Sequence, residues 1–69
     1  MLREPVESSM IASVGYDSAG EMLEIEFTQG AVYLYAGVPP HVYSNMMDAD
    51  SIGRYFIGVI KETYPCRQL

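Results

Sequence analysis

The chain has 69 residues, which limits it to one domain with a small core. Nine acidic against four basic residues give a net charge of −5, a balance that disfavours binding driven by Lys and Arg contacts to phosphates. One cysteine and one histidine rule out an internal disulfide and a His/Cys metal cluster.

Residues Met1 to Ser8 read as a leader into the fold, with Pro5 holding the residue before it extended. Nothing in Met1-Leu2-Arg3-Glu4-Pro5 has the pattern of a secretory signal, and no apolar run approaches the roughly 20 residues of a membrane span. A lone thiol suits a reducing compartment, so a cytoplasmic protein with no membrane contact is expected.

Ser9 to Tyr16 predicts a first strand, with Met10, Ala12, Val14 and Tyr16 alternating with Ile11, Ser13 and Gly15. Asp17-Ser18-Ala19-Gly20 is a turn signal. With those four residues as the loop, Val14 faces Leu23, Ala12 faces Ile25 and Met10 faces Phe27, while Ile11 and Ser13 fall beside Glu26 and Glu24. Met22 to Ala36 predicts two further strands joined at Gln29-Gly30. A two-residue turn there pairs Phe27 with Val32, Ile25 with Leu34 and Leu23 with Ala36 on the core face. The same register sets Glu26 opposite Tyr33 and Glu24 opposite Tyr35 on the other face, a tyrosine and carboxylate surface suited to recognition.

Ala36-Gly37-Val38-Pro39-Pro40 ends the third strand. Pro40 suits the first turn of a short helix running to about Asp48, with Val42, Tyr43, Met46 and Met47 as its apolar stripe. Ser51 is the N-cap of a second helix. Ile52, Tyr55, Phe56, Val59 and Ile60 follow at the spacing of a core-facing stripe, and Pro65 ends the element. Gly53 and Gly58 weaken that helix, and Gly53 suits a close approach to a strand. The fold class is therefore α+β: a three-stranded antiparallel meander followed by two helices packed on one sheet face, β-β-β-α-α. A single domain over 1–69, with a core of about 6–64, accounts for the whole chain.

An ordered set of residues carries a family resemblance. It comprises Ser8-Ser9, Val14-Gly15-Tyr16-Asp17, Leu23-Glu24-Ile25-Glu26-Phe27, Gly30, Tyr33-Leu34-Tyr35, Val38-Pro39, Ala49, Ser51, Gly53, Tyr55-Phe56, Ile60-Lys61 and Tyr64. The chain resembles the KTSC domain across roughly Val6 to Tyr64. That small domain stands alone in bacterial and phage proteins and is appended to the C-terminus of some lysyl-tRNA synthetases. The association with the synthetase implies an RNA-binding role. Ile57 departs from the pattern, since relatives often carry Asn there.

The candidate binding residues are Tyr33, Tyr35, Glu24 and Glu26 on the sheet, with Arg54 and Lys61, seven apart and close to one side of the second helix. Alternating Glu24 and Glu26 have the composition of an ordinary solvated strand face rather than of an acid/base pair. His41 has no orienting partner or nucleophile at a telling spacing. Cys66 near the C-terminus reads as a spectator thiol. Asp48 and Asp50 lack the spacing of a cation-binding loop. No catalytic residue, metal site or cofactor is expected. The reading that follows is a non-enzymatic binding module that contacts a protein partner or a second copy of itself, as a homodimer, through the Tyr-x-Tyr/Glu face. A weak RNA- or nucleotide-binding domain is the alternative, with aromatic stacking in its favour and net charge against it. An acidic mimic of nucleic acid, of the kind small phage proteins can be, is the third.

Overall fold

Period-two alternation produces the three central strands: β2 (Ile11–Asp17), β3 (Met22–Phe27) and β4 (Val32–Ala36). In this computed structural model, which describes residues 1–69, they form the middle of a five-stranded antiparallel sheet. Its order is β1-β2-β3-β4-β5, with β1 at Arg3–Pro5 and β5 at Cys66–Gln68. The α+β class is as expected, but the sheet has five strands, not three. Each added strand is only three residues long and fully exposed. Such a segment is too short to show an alternation. It becomes a strand because its neighbour presents unpaired amides and carbonyls along an open edge.

The first hairpin keeps the expected faces in a different register. Asp17 pairs with Met22 and Val14 with Ile25, so the pairings from Ser13 to Asp17 lie two residues from the predicted ones, and Ile11, which pairs with Phe27, lies one residue off. The loop begins one residue later because Asp17 stays in the strand while its carboxylate accepts hydrogen bonds from the amides of Ala19 and Gly20. Ser13 consequently meets Glu26 rather than Glu24. A bulge between Ile11 and Ser13 turns Ile11 into the core, away from the outer face predicted for it.

The second hairpin reverses the faces. Gly30 has φ +108°, its amide donates to the Phe27 carbonyl, and the Phe27 amide donates to the Ala31 carbonyl. The loop is therefore Thr28-Gln29-Gly30 rather than a two-residue turn at Gln29-Gly30. One additional loop residue shifts the pairing by one: Leu23 faces Tyr35, Ile25 faces Tyr33, and Glu24 faces Leu34. Tyr33 and Tyr35 lie on the helix-covered face with Leu23 and Ile25. Glu24 and Glu26 lie on the other face with Leu34 and Val32.

Helix α1 (Pro40–Asp48) starts on its proline as expected and buries Val42 and Met46. Ser51 caps α2 (Ile52–Tyr55), its Oγ accepting from the Arg54 amide at 3.2 Å. Beyond Tyr55 the helix widens into a π turn over Phe56–Ile60, where the Lys61 amide donates to the Phe56 carbonyl five residues back, at 2.9 Å. The wider turn keeps Phe56 and Ile60 in the core but swings Val59 out to 36% exposure, against the predicted stripe. Both helices cover one sheet face, and Ile11, Val14, Leu23, Ile25 and Tyr35 meet Val42, Met46, Phe56 and Ile60 in a single core.

Candidate functional site

The aromatic residues of β3, β4 and the π turn converge at one end of the core face. Phe56 lies edge-on to Phe27 at 5.5 Å and to Tyr35 at 5.3 Å, and Phe27 lies edge-on to Tyr33 at 5.8 Å. These edge-to-face contacts fix the rings without closing the gap between sheet and helix. What remains is an open groove of about 530 Å³. Tyr33 and Tyr35 form its sheet side, Ile57 and Lys61 its helix side, and Thr28 and Gln29 of the β3–β4 loop one end. Met10, Glu62 and Cys66 complete the lining. The π turn matters here, because it carries Phe56 and Ile57 and delivers Lys61 to the rim. Such turns recur at functional sites.

Tyr35 is 4% exposed and Tyr33 half-buried, so the pair does not form an open stacking platform. The Tyr33 hydroxyl donates to Gln68 Oε1 at 3.4 Å, tying the groove wall to β5. Burial pushes the Tyr35 phenol up to about 12, with the Cys66 thiol, Tyr33 and Glu62 adding to the rise. At neutral pH the Tyr35 phenol is therefore a neutral hydroxyl at the boundary of an apolar floor. Cys66 is exposed and pairs with Tyr35 across β4 and β5, which places it on the groove side of the sheet.

The other predicted residues lie elsewhere. Glu24 is half-buried on the outer face and bonds to Arg3, Nε to Oε2 at 3.3 Å. Glu26 accepts the Ser13 hydroxyl at 2.7 Å. The composite Tyr33, Tyr35, Glu24 and Glu26 surface does not exist, because the sheet separates the two pairs. Arg54 borders a smaller cleft with Ser8, Ser51 and Gly53, whereas Lys61 borders the groove. The π turn between them adds a residue to the helical count and sends the two cations into different clefts. Phe27, Phe56, Ile57, Met10 and Cys66 were not among the candidates. Gly30 carried the signal for the sheet residues: a three-residue loop ending in a left-handed glycine puts Phe27, Tyr33 and Tyr35 on one face.

The groove and its aromatic walls lie within a recognisable domain. The family model of the KTSC domain matches residues 7–64. This chain belongs to the KTSC domain family. A KTSC domain protein of Yersinia pestis, known from a crystal structure, is 51% identical, superposes with a TM-score of 0.93, and is matched over 99% of this chain and 96% of its own. An uncharacterised protein of Stutzerimonas stutzeri is 46% identical over 88% of this chain and 86% of its own length. A lysine–tRNA ligase of Nostoc punctiforme is 38% identical over 91% of this chain but only 11% of the ligase, which therefore carries the KTSC domain as an extra unit. The family match stops short of β1 and β5, so the two edge strands of this KTSC domain are built from residues outside the matched region. No helix is long and apolar enough to cross a membrane.

Proposed function

We propose that this KTSC domain is a small binding module whose ligand site is the groove between β4 and the π turn, and that its occupant is an apolar or aromatic side chain of a protein partner. The observation that carries this reading is the convergence of Phe27, Tyr33, Tyr35 and Phe56 on one open groove with polar groups at its rim. A concave apolar floor with a few polar groups around it suits a ligand that buries a side chain and orients itself by hydrogen bonds. Tyr33 supplies such a hydroxyl, Lys61 a cation and Gln29 an amide. Tyr33 and Lys61 thus keep the binding roles read from sequence, with Ile57 and Cys66 as new neighbours.

A second reading is a nucleobase held in the same groove, with Lys61 near its phosphate. Support comes from the aromatic lining and from the extra domain in the lysine–tRNA ligase. An overall charge of −5 weighs against it.

Amide chemical-shift mapping on the full chain separates the readings, using a random peptide library and unfractionated tRNA as probes. Peptides with an aromatic residue are expected to perturb the amides of 27–35 and 56–62, and Tyr33→Ala to weaken that binding at least tenfold. Shifts in those amides with tRNA alone would transfer the groove to the second reading. Shifts confined to other surfaces with both probes would remove the groove as the site.

A further inference from the structure

The face of the sheet away from the helices is only half covered. Over β1 and β2 the N-terminal segment lies against Gly15, where an added Cβ would stand 3.0 Å from both Arg3 Cγ and the Leu2 carbonyl. Over β3 the Arg3 side chain reaches as far as Glu24, while Val32 and Leu34 of β4 are half-buried and Arg67 of β5 is exposed. One cross-strand row there reads Glu24, Leu34, Arg67, and directly paired residues share a face. Val32 and Leu34 make a half-buried apolar stripe along β4, and exposed Leu69, whose amide donates to the Val32 carbonyl, extends it. The stripe has carboxylates on its β3 side, Glu24 and Glu26, and a cation on its β5 side. The only ion pair in the structure joins Arg3 to Glu24, so Arg67 has no acidic partner in its own chain.

An acidic strand, an apolar strand and a basic strand in that order are self-complementary under one operation. A two-fold axis parallel to β4 lays β4 on β4 and carries β3 of each copy over β5 of the other. Leu34 then meets Leu34, and Glu24 meets Arg67 twice, once on each side of the stripe. From this arrangement we infer that the outer face of β3–β4–β5 is the isologous interface of a dimer of this chain. Aligned face-to-face sheets pack about 10 Å apart, a spacing filled by leucine-sized side chains from both faces. A second copy is the occupant that matches the pattern, because it supplies a leucine stripe and both charges in mirrored order. The groove lies on the opposite side of the sheet and stays open in such a dimer, so this interface stands or falls independently of the binding role of the groove.

Sedimentation velocity on the full chain over a wide range of concentration tests the inference, with circular dichroism to verify folding. Wild type is expected to dimerise. Arg67→Glu, at an exposed position, is expected to weaken the dimer about tenfold, since it reverses two symmetric contacts. Leu34→Lys is expected to abolish it. Ile57→Lys, on the groove side, is expected to leave it unchanged. A wild type that stays monomeric at every concentration overturns the interface. A dimer that survives Arg67→Glu and Leu34→Lys, or one lost through Ile57→Lys alone, overturns it as well.

Discussion

Arg3 reaches Glu24 across Gly15, with Nε 3.3 Å from Oε2, although the two residues sit on strands that are not neighbours. Arg3 pairs with Gly15 and Gly15 with Glu24, so the glycine occupies the position between them. With no side chain there, the guanidinium spans one full strand, and the edge strand β1 is held by more than its backbone bonds. The pair is partly exposed, 32% and 17% at the two side chains, and by itself is worth at most about 1 kcal/mol.

Gly15→Val tests the role of that gap. The new side chain would collide with Arg3 Cγ and with the Leu2 backbone, and backbone gives way less readily than a flexible side chain. A loss of about 1–3 kcal/mol in urea denaturation is expected, with β1 amides losing protection from hydrogen exchange before those of β2 and β3. Unchanged β1 protection would show that the glycine is incidental.

Tyr35 separates packing from chemistry. Its ring is buried against Phe56, so Tyr35→Ala is expected to cost about 3–5 kcal/mol. Tyr35→Phe keeps the ring and removes a hydroxyl that sits on the groove side beside Cys66, and a change within about 1 kcal/mol is expected. Comparable losses in the two variants by denaturant titration would place the stabilisation in the hydroxyl.

The same residue governs stability at high pH. Its phenol is raised from 10.0 to about 12 in the fold, so above pH 10 the unfolded chain ionises there while the folded chain stays protonated. That stabilising difference is complete below pH 10 and is lost as pH climbs toward 12, by roughly 2–3 kcal/mol in all. Burial of Tyr16 and Tyr43 acts in the same direction. Thermal unfolding between pH 9 and pH 12 is expected to show a falling Tm, with a shallower fall in Tyr35→Phe.

The two helical glycines are predicted to respond differently to alanine. Gly58 is exposed and a Cβ there would touch nothing, so Gly58→Ala is expected to stabilise by about 0.5–1 kcal/mol. At Gly53 a Cβ would sit 3.4 Å from Ser8 Oγ and 3.5 Å from Met10 Cε, in van der Waals contact with the segment that leads into β2. Gly53→Ala is expected to gain less than Gly58→Ala, and paired denaturation curves give the order directly.

Short-range chemistry made much of this fold legible. Pro40 at the start of α1 and Ser51 as the cap of α2 are each decided within a few residues, and the structure has both. The face of Tyr33 and Tyr35 was not legible, because it hangs on whether one loop contains two residues or three, and a β-strand turns its side chains over with each single-residue slip. The groove went unseen for the same reason. Its walls come from β3, β4, β5 and the π turn, and no local pattern places Phe56 beside Tyr35.

By itself the sequence determined the α+β class, the order of the central strands and both helices, and membership of the KTSC domain family, since these follow from alternation, capping and an ordered set of residues. Tertiary structure decided the rest. Exposed edges of β2 and β4 recruited three residues at each end of the chain as extra strands. A left-handed Gly30 put both tyrosines on the core side. The π turn at Phe56–Ile60 rotated Val59 outward and brought Lys61 to the groove. The edge strands were set by hydrogen bonds between segments distant in sequence, which no local pattern of residues records, whereas the Gly30 loop and the π turn are closed by short-range backbone bonds whose register the residue types leave open.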